Sequence, residues 1–312
     1  MNIRKDKSKN LQRAIVEAIA FFDLFDFPMT DFEIWQNVRI QCDYGDIKSE
    51  LKKNILCLET KNGFWFLKNR SFIIGTRMRR YNYTDKKFKR ALRVSRIFKF
   101  IPWIKMIGIG NIIGTHNLKR EGDIDFFIIS EKNRIWITRF FCVLIIKFLR
   151  LRPEQGNIKD KICLSFFVDE KEMNLKNLMI QSDIPDYYFV YWLAGLVPIY
   201  DTDGIYNKLI KENIWVKEFL PNWNIKNVYY LRDVGNGNSK FYRDVLDMLI
   251  GGFEKKFQKL SLKILPQNIK KIMNQNDGVV VSDHVLKFHV NDRRREFAQK
   301  YKFKLKELNI NE

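Results

Sequence analysis

At 312 residues the chain is long enough for two or three domains and a substantial core. Its apolar share of 46% and aromatic share of 14% exclude a disordered chain, and its formal charge of +20 suits a polyanionic partner such as RNA, DNA or a nucleotide pool. Abundant Lys, Ile and Asn fit a codon-usage bias equally well, which would produce basic surfaces with no nucleic acid involved.

The first ten residues are charged and lack the apolar core of a secretion signal. Residues 11–25 have helical apolar spacing, Thr30-Asp31-Phe32-Glu33 forms a capping box opening a second helix, and 46–54 makes a third. Two short segments, 57–60 and 64–67, flank Lys61-Asn62-Gly63, and Asn-Gly is favoured in tight hairpin turns. Three helices and a hairpin are the parts of a winged helix-turn-helix, expected over residues 1–70. Its third helix offers Lys48, Lys52 and Lys53 to phosphates, but Asp46 and Glu50 on the same helix leave a structural or protein-contacting role equally open. Residues 71–100 read as a basic helical connector carrying Arg77, Arg79, Arg80, Lys86, Lys87, Lys89, Arg90, Arg93 and Arg96. That run is either a solvated helix face or a track for a phosphate backbone.

A central α/β domain is expected over 101–198, with strands at 106–109, 124–130 and 162–168 and a helix at 135–149. Asp123 and Asp125 are two residues apart where a strand begins, so they point to the same side about 7 Å from one another, placed to share one or two divalent ions. Gly108 and Gly110 at the preceding strand end would admit a ligand close to the backbone, and a helix opened by Asn111 would offer free N–H groups to an anion. The apolar stretch 135–151 contains Arg139 and Lys147 and is short for a membrane span; it reads as a buried helix behind the sheet. Along 162–168, alternation puts Cys163, Ser165, Phe167 and Asp169 on one face. A third carboxylate would be sought mid-strand, where Ser165 stands; Asp169 lies at the far end, with Asp160 and Glu170 as further substitutes. A serine cannot act as a base near neutral pH without a separate activator.

Residues 199–312 read as a helical C-terminal domain, with helical spacing at 204–212 and 244–262, Pro221 and a turn at 235–238 between them, and a further helix at 187–196 just before. Near the end, Lys287, His289 and Arg293 are either a cluster approaching a triphosphate or part of an amphipathic helix held by ion pairs. His284 and His289 are five apart and do not share a helix face, which argues against a zinc pair there. His116, in the loop before the aspartates, reads as a solvated loop residue. Cys42, Cys57, Cys142 and Cys163 show no Cys-x-x-Cys spacing and suit a reducing compartment, so a cytoplasmic protein with no membrane partner is expected.

The order of strand, glycine turn, short helix and Asp-Ile-Asp opening the next strand resembles the nucleotidyltransferase fold of the DNA polymerase beta superfamily. The resemblance covers the central third of the chain. It implies an α/β (α+β) nucleotidyltransferase fold with a small mixed sheet, Asp123 and Asp125 as the metal-binding catalytic pair, and Asp169 as the candidate third carboxylate. Gly108, Gly110 and Asn111 would bind the nucleotide, with Asn111 standing where that family usually has a small hydroxyl residue. The implied activity uses magnesium, or manganese, to move a nucleotidyl group from a nucleoside triphosphate to an acceptor hydroxyl or phosphate, releasing pyrophosphate. The alternative is a catalytically inactive protein of the same fold that binds RNA or DNA.

Overall fold

The computed structural model describes residues 2–110, 116–154, 156–224, 234–235 and 240–310. Helix α1 (Asn2–Asp23) opens the chain and runs well ahead of the predicted start. Helices α2 (Asp31–Asn37) and α3 (Tyr44–Leu51) follow, and the capping box before α2 is complete: Thr30 Oγ1 accepts from the Glu33 N–H while the Glu33 carboxylate accepts from the Thr30 N–H. Strands β1 (Leu58–Lys61) and β2 (Phe64–Leu67) form the hairpin, turned by Asn62 and Gly63 at φ 54° and 76°, the left-handed pair that Asn-Gly adopts readily.

The long helix α4 (Ile73–Phe98) leads into β3 (Ile104–Ile109), β4 (Ile124–Ser130), α5 (Ile135–Phe148) and β5 (Ile162–Asp169). After α6 (Tyr187–Gly195) come β6 (Val197–Asp201), α7 (Ile205–Glu212), α8 (Val216–Phe219), α9 (Lys240–Ile250), α10 (Glu254–Ile264) and α11 (Gln267–Ile272). Strands β7 (Val279–Val281) and β8 (Val285–Phe288) precede the last helix, α12 (Arg294–Glu307). Among the described residues no helix is long and apolar enough to cross a membrane.

The architecture is mixed α/β. A six-stranded sheet has the order β6-β3-β4-β5-β8-β7, in which only β4 and β5 run parallel. One sheet face, with Met106, Phe127, Ile129, Phe166 and Val168, shares a core with α1, α2, α3, α6, α7 and α12. The other, with Ile107, Ile124, Phe126, Ile128 and Phe167, packs on α4 and α5. Helix α5 thus lies behind the sheet as its pattern implies, with Ile135, Trp136, Ile137, Cys142 and Ile146 buried, but Leu144, Phe148 and Leu149 of the same apolar stretch are exposed.

Two expectations are corrected. The region 199–312 is not wholly helical: β6, β7 and β8 extend the central sheet on both sides, because short runs such as Val285–Phe288 alternate between its two faces. The predicted helix at 244–262 is broken at Gly251-Gly252, where the close approach of Asp247 and Arg134 leaves no room for a β-carbon on Gly251. The turn at 235–238 lies largely outside the described residues.

Candidate functional site

The site begins with buried Lys87 on α4. Its Nζ donates to the Gly122 carbonyl at 2.5 Å and to Asp160 Oδ1 at 2.7 Å, and the Asp160 N–H donates to the same Gly122 carbonyl at 3.1 Å. The turns that open β4 and β5 are thereby tied together. From these turns the parallel register sets Ile124 beside Ile162 and Asp125 beside Cys163. Ligand atoms of Asp123, Asp125 and Cys163 lie within 4.8 Å of one another, all three side chains being half-buried.

Burial, reinforced by the neighbouring Asp123 charge, raises the Asp125 pKa, while the hydrogen bond from Cys163 opposes the rise. Asp123 is raised by burial as well, with the Lys87 charge acting against it. Burial and then the two carboxylates push the Cys163 thiol well above its ordinary range. Among the described residues no lysine or arginine forms an ion pair with Asp125. A group of two carboxylate oxygens and a sulfur this close together fits a divalent ion.

Beyond Cys163 the ladder slips: Asp125 pairs with Cys163, but Phe127 pairs with Phe166. This bulge reverses the alternation, so Phe166 and Val168 follow Cys163 and Ser165 onto the site face while Phe167 turns to the opposite core. Asp169 therefore does not join the pair. It lies six residues along from Cys163, about 20 Å away at strand rise. There its fully buried carboxylate accepts from the Asn133 and Lys171 N–H groups and pairs with His284 Nδ1 at 2.8 Å. Asp160 is bound to Lys87, and Glu170 reaches the Lys132 N–H. None of the three proposed substitutes supplies a carboxylate to the site.

A cavity of about 530 Å³ covers the triad and is lined also by Lys119, Ser165, Tyr188, Trp192, Lys287, His289, Asp292, Arg293 and Arg294. A polar row runs from Asp125 through Cys163 and Ser165 to His289, whose Nε2 is 2.8 Å from Ser165 Oγ. Burial, then the Lys287 charge, push the His289 pKa down to about 4, so the ring is neutral at pH 7. Lys287, lowered to about 8 by burial and then by Arg294, donates to the Asp277 carbonyl at 2.6 Å and to Asp292 at 3.2 Å. Arg294 is held by Asp292, Asp186 and the Leu178 carbonyl. The anticipated cluster is thus assembled on the cavity wall, but Lys287 is buried and His289 half-buried, and of the three only Arg293 is exposed, its guanidinium resting on Glu296. Lys119 offers a second exposed cation.

Gly108 and Gly110 do not line the cavity. A β-carbon on Gly110 would stand 2.7 Å from Trp192 Nε1, and one on Gly108 would meet Leu196 at 3.1 Å, so both glycines make room for the protein's own side chains. Asn111 lies outside the described residues. His116 is half-buried against Tyr81, ring centroids 4.7 Å apart. Sequence reasoning passed over Cys163 as a plain thiol. The signal for it was positional: Cys163 is the second residue of β5 as Asp125 is the second of β4. In the N-terminal segment, Lys53 pairs with Glu50 while Lys48 and Lys52 are exposed on or beside α3.

Comparison with protein-family models, with curated proteins and with solved structures found no match to this chain.

Proposed function

We propose that the chain is a divalent-metal-dependent nucleotidyltransferase acting at the cavity over Asp123 and Asp125. The observation that carries this reading is the half-buried carboxylate pair at the start of β4, without a cationic partner for Asp125 among the described residues, facing a cavity large enough for a nucleotide whose wall mixes aromatic and charged side chains. The pairing of β4 with an antiparallel β3 and a parallel β5 adds support, since it sets a third ligand beside the pair. Asp123 and Asp125 would hold the ion, which when bound would neutralise charge on phosphate oxygens and on the leaving pyrophosphate. Lys119 and Arg293 at the cavity wall attract and orient the triphosphate. The acceptor oxygen attacks the α-phosphorus; the bond to the pyrophosphate oxygen breaks, and the acceptor's proton leaves to solvent.

A second reading, a catalytically silent protein of this architecture binding RNA or DNA, is favoured by one fact: no third carboxylate joins Asp123 and Asp125 among the described residues. Thermal unfolding with each nucleoside triphosphate, with and without divalent ions, separates the two. A metal-dependent upward shift that vanishes in Asp123→Ala/Asp125→Ala is the expected result. Its absence with every nucleotide, together with RNA or DNA affinity that falls steeply with salt and ignores the double substitution, favours the silent binder.

A further inference from the structure

We infer that Cys163 coordinates the ion at this site through sulfur, so that the site selects a borderline-soft divalent ion of the zinc class over magnesium. The inference rests on the proposed metal site and names the chemistry of its occupant. Three observations lead to it. Cys163 is the direct register partner of Asp125 on the parallel neighbour, the place from which a third ligand must come. Its sulfur and the two carboxylates lie within 4.8 Å of one another, close enough for one ion after small side-chain rotations. The bulge that follows carries Asp169 to the opposite end and face of β5, so no oxygen ligand from that strand competes with the sulfur except the Ser165 hydroxyl, which is engaged with His289.

Magnesium demands an oxygen shell and dehydrates reluctantly, whereas a thiolate suits zinc or cobalt. As the metal–sulfur bond forms, the thiol proton passes to solvent and the hydrogen bond from sulfur to Asp125 is replaced by a shared ion. No electron is transferred.

The test uses the full chain, with zinc, cobalt and magnesium as separate probes, each with and without ATP. Thermal unfolding should show stabilisation by zinc at concentrations at least about tenfold below those needed for magnesium. The cobalt-loaded protein should show a sulfur-to-cobalt charge-transfer band. Cys163→Ser should remove the band and weaken zinc about tenfold or more, while Cys163→Asp should turn the preference toward magnesium. Asp123→Ala/Asp125→Ala should abolish the band, which excludes Cys42, Cys57 and Cys142 as its source. Cobalt binding without a charge-transfer band, or equal zinc affinity in the unmodified protein and Cys163→Ser, overturns the inference while leaving a carboxylate metal site standing. If no ion stabilises the protein, with or without ATP, the inference and the metal-dependent reading fall together.

Discussion

His289 is held neutral at physiological pH because it is buried beside Lys287 and Arg294, with Asp292 as a partial counterweight. Its pKa falls from 6.5 to about 4 on folding, so the unfolded chain takes up the proton first as the solution is acidified. Stability supplied by this residue is therefore complete above pH 6.5 and lost as pH falls toward 4, by about 3 kcal/mol at about 1.4 kcal/mol per unit. Urea denaturation of the protein and of His289→Gln between about pH 7 and about pH 4 should show that excess loss in the unmodified chain alone. Parallel curves would mean that the ring is not buried neutral. At this scale the sequence disclosed Asp123 and Asp125, because strand alternation is a local rule. It hid Cys163, since the pairing of β4 with β5 joins residues 38 apart in the chain, and it misplaced Asp169, since nothing in Leu164-Ser165-Phe166 announces the bulge.

Between elements, the connector helix reaches the site chiefly through the buried amine of Lys87, with Arg90 bonding the Asp160 carbonyl beside it. Lys87 on α4 spans the turns before β4 and β5, and the acid pair meets Cys163 because those turns are fixed to one another. Lys87→Met leaves the Asp160 carboxylate without its buried donor and the Gly122 carbonyl with the Asp160 N–H alone, and should cost about 3 kcal/mol in urea denaturation. Because the β4 and β5 starts are then held only by their backbone bonds, metal-dependent thermal stabilisation should weaken as well. A loss of stability with unchanged metal affinity would show that the strand ladder alone holds the register. Helices and strands with strong local signatures, such as the Thr30 capping box, the Asn62-Gly63 turn and the apolar β4, were legible from sequence. Strands β7 and β8 were not, because runs of three and four residues set among Ser, Asp, His, Lys and Arg carry too little period to distinguish a sheet edge from a helix end.

Across the whole molecule, the charge of +20 overstates the surface open to a polyanion. On α4, Arg77 grips Glu33 and the Pro28 carbonyl, Arg80 reaches Asp26 and the Phe25 carbonyl, and Arg90 bonds the Asp160 carbonyl, while Arg79, Lys86, Lys89, Arg93 and Arg96 are exposed. The same inward commitments join the N-terminal helices to the rest. Phe21 packs 4.5 Å from the Tyr191 ring and 5.5 Å from Tyr301, Lys304 pairs with Asp23, and Arg39 binds Glu17 and the Tyr301 hydroxyl while lying over Tyr187 at 4.0 Å. One apolar core thus runs from α1 through a sheet face to α12, and residues 11–67 cannot leave as a body without exposing it. Calorimetry should accordingly give a single transition whose calorimetric and van't Hoff enthalpies agree. Arg39→Met, which removes the bonds to Glu17 and the Tyr301 hydroxyl and leaves half-buried Glu17 with Arg13 alone, should lower that transition by about 2 kcal/mol of stability without splitting it. Two resolved transitions, with the earlier one abolished by deleting residues 1–70, would instead make the N-terminal segment an independent unit free to carry its own partner.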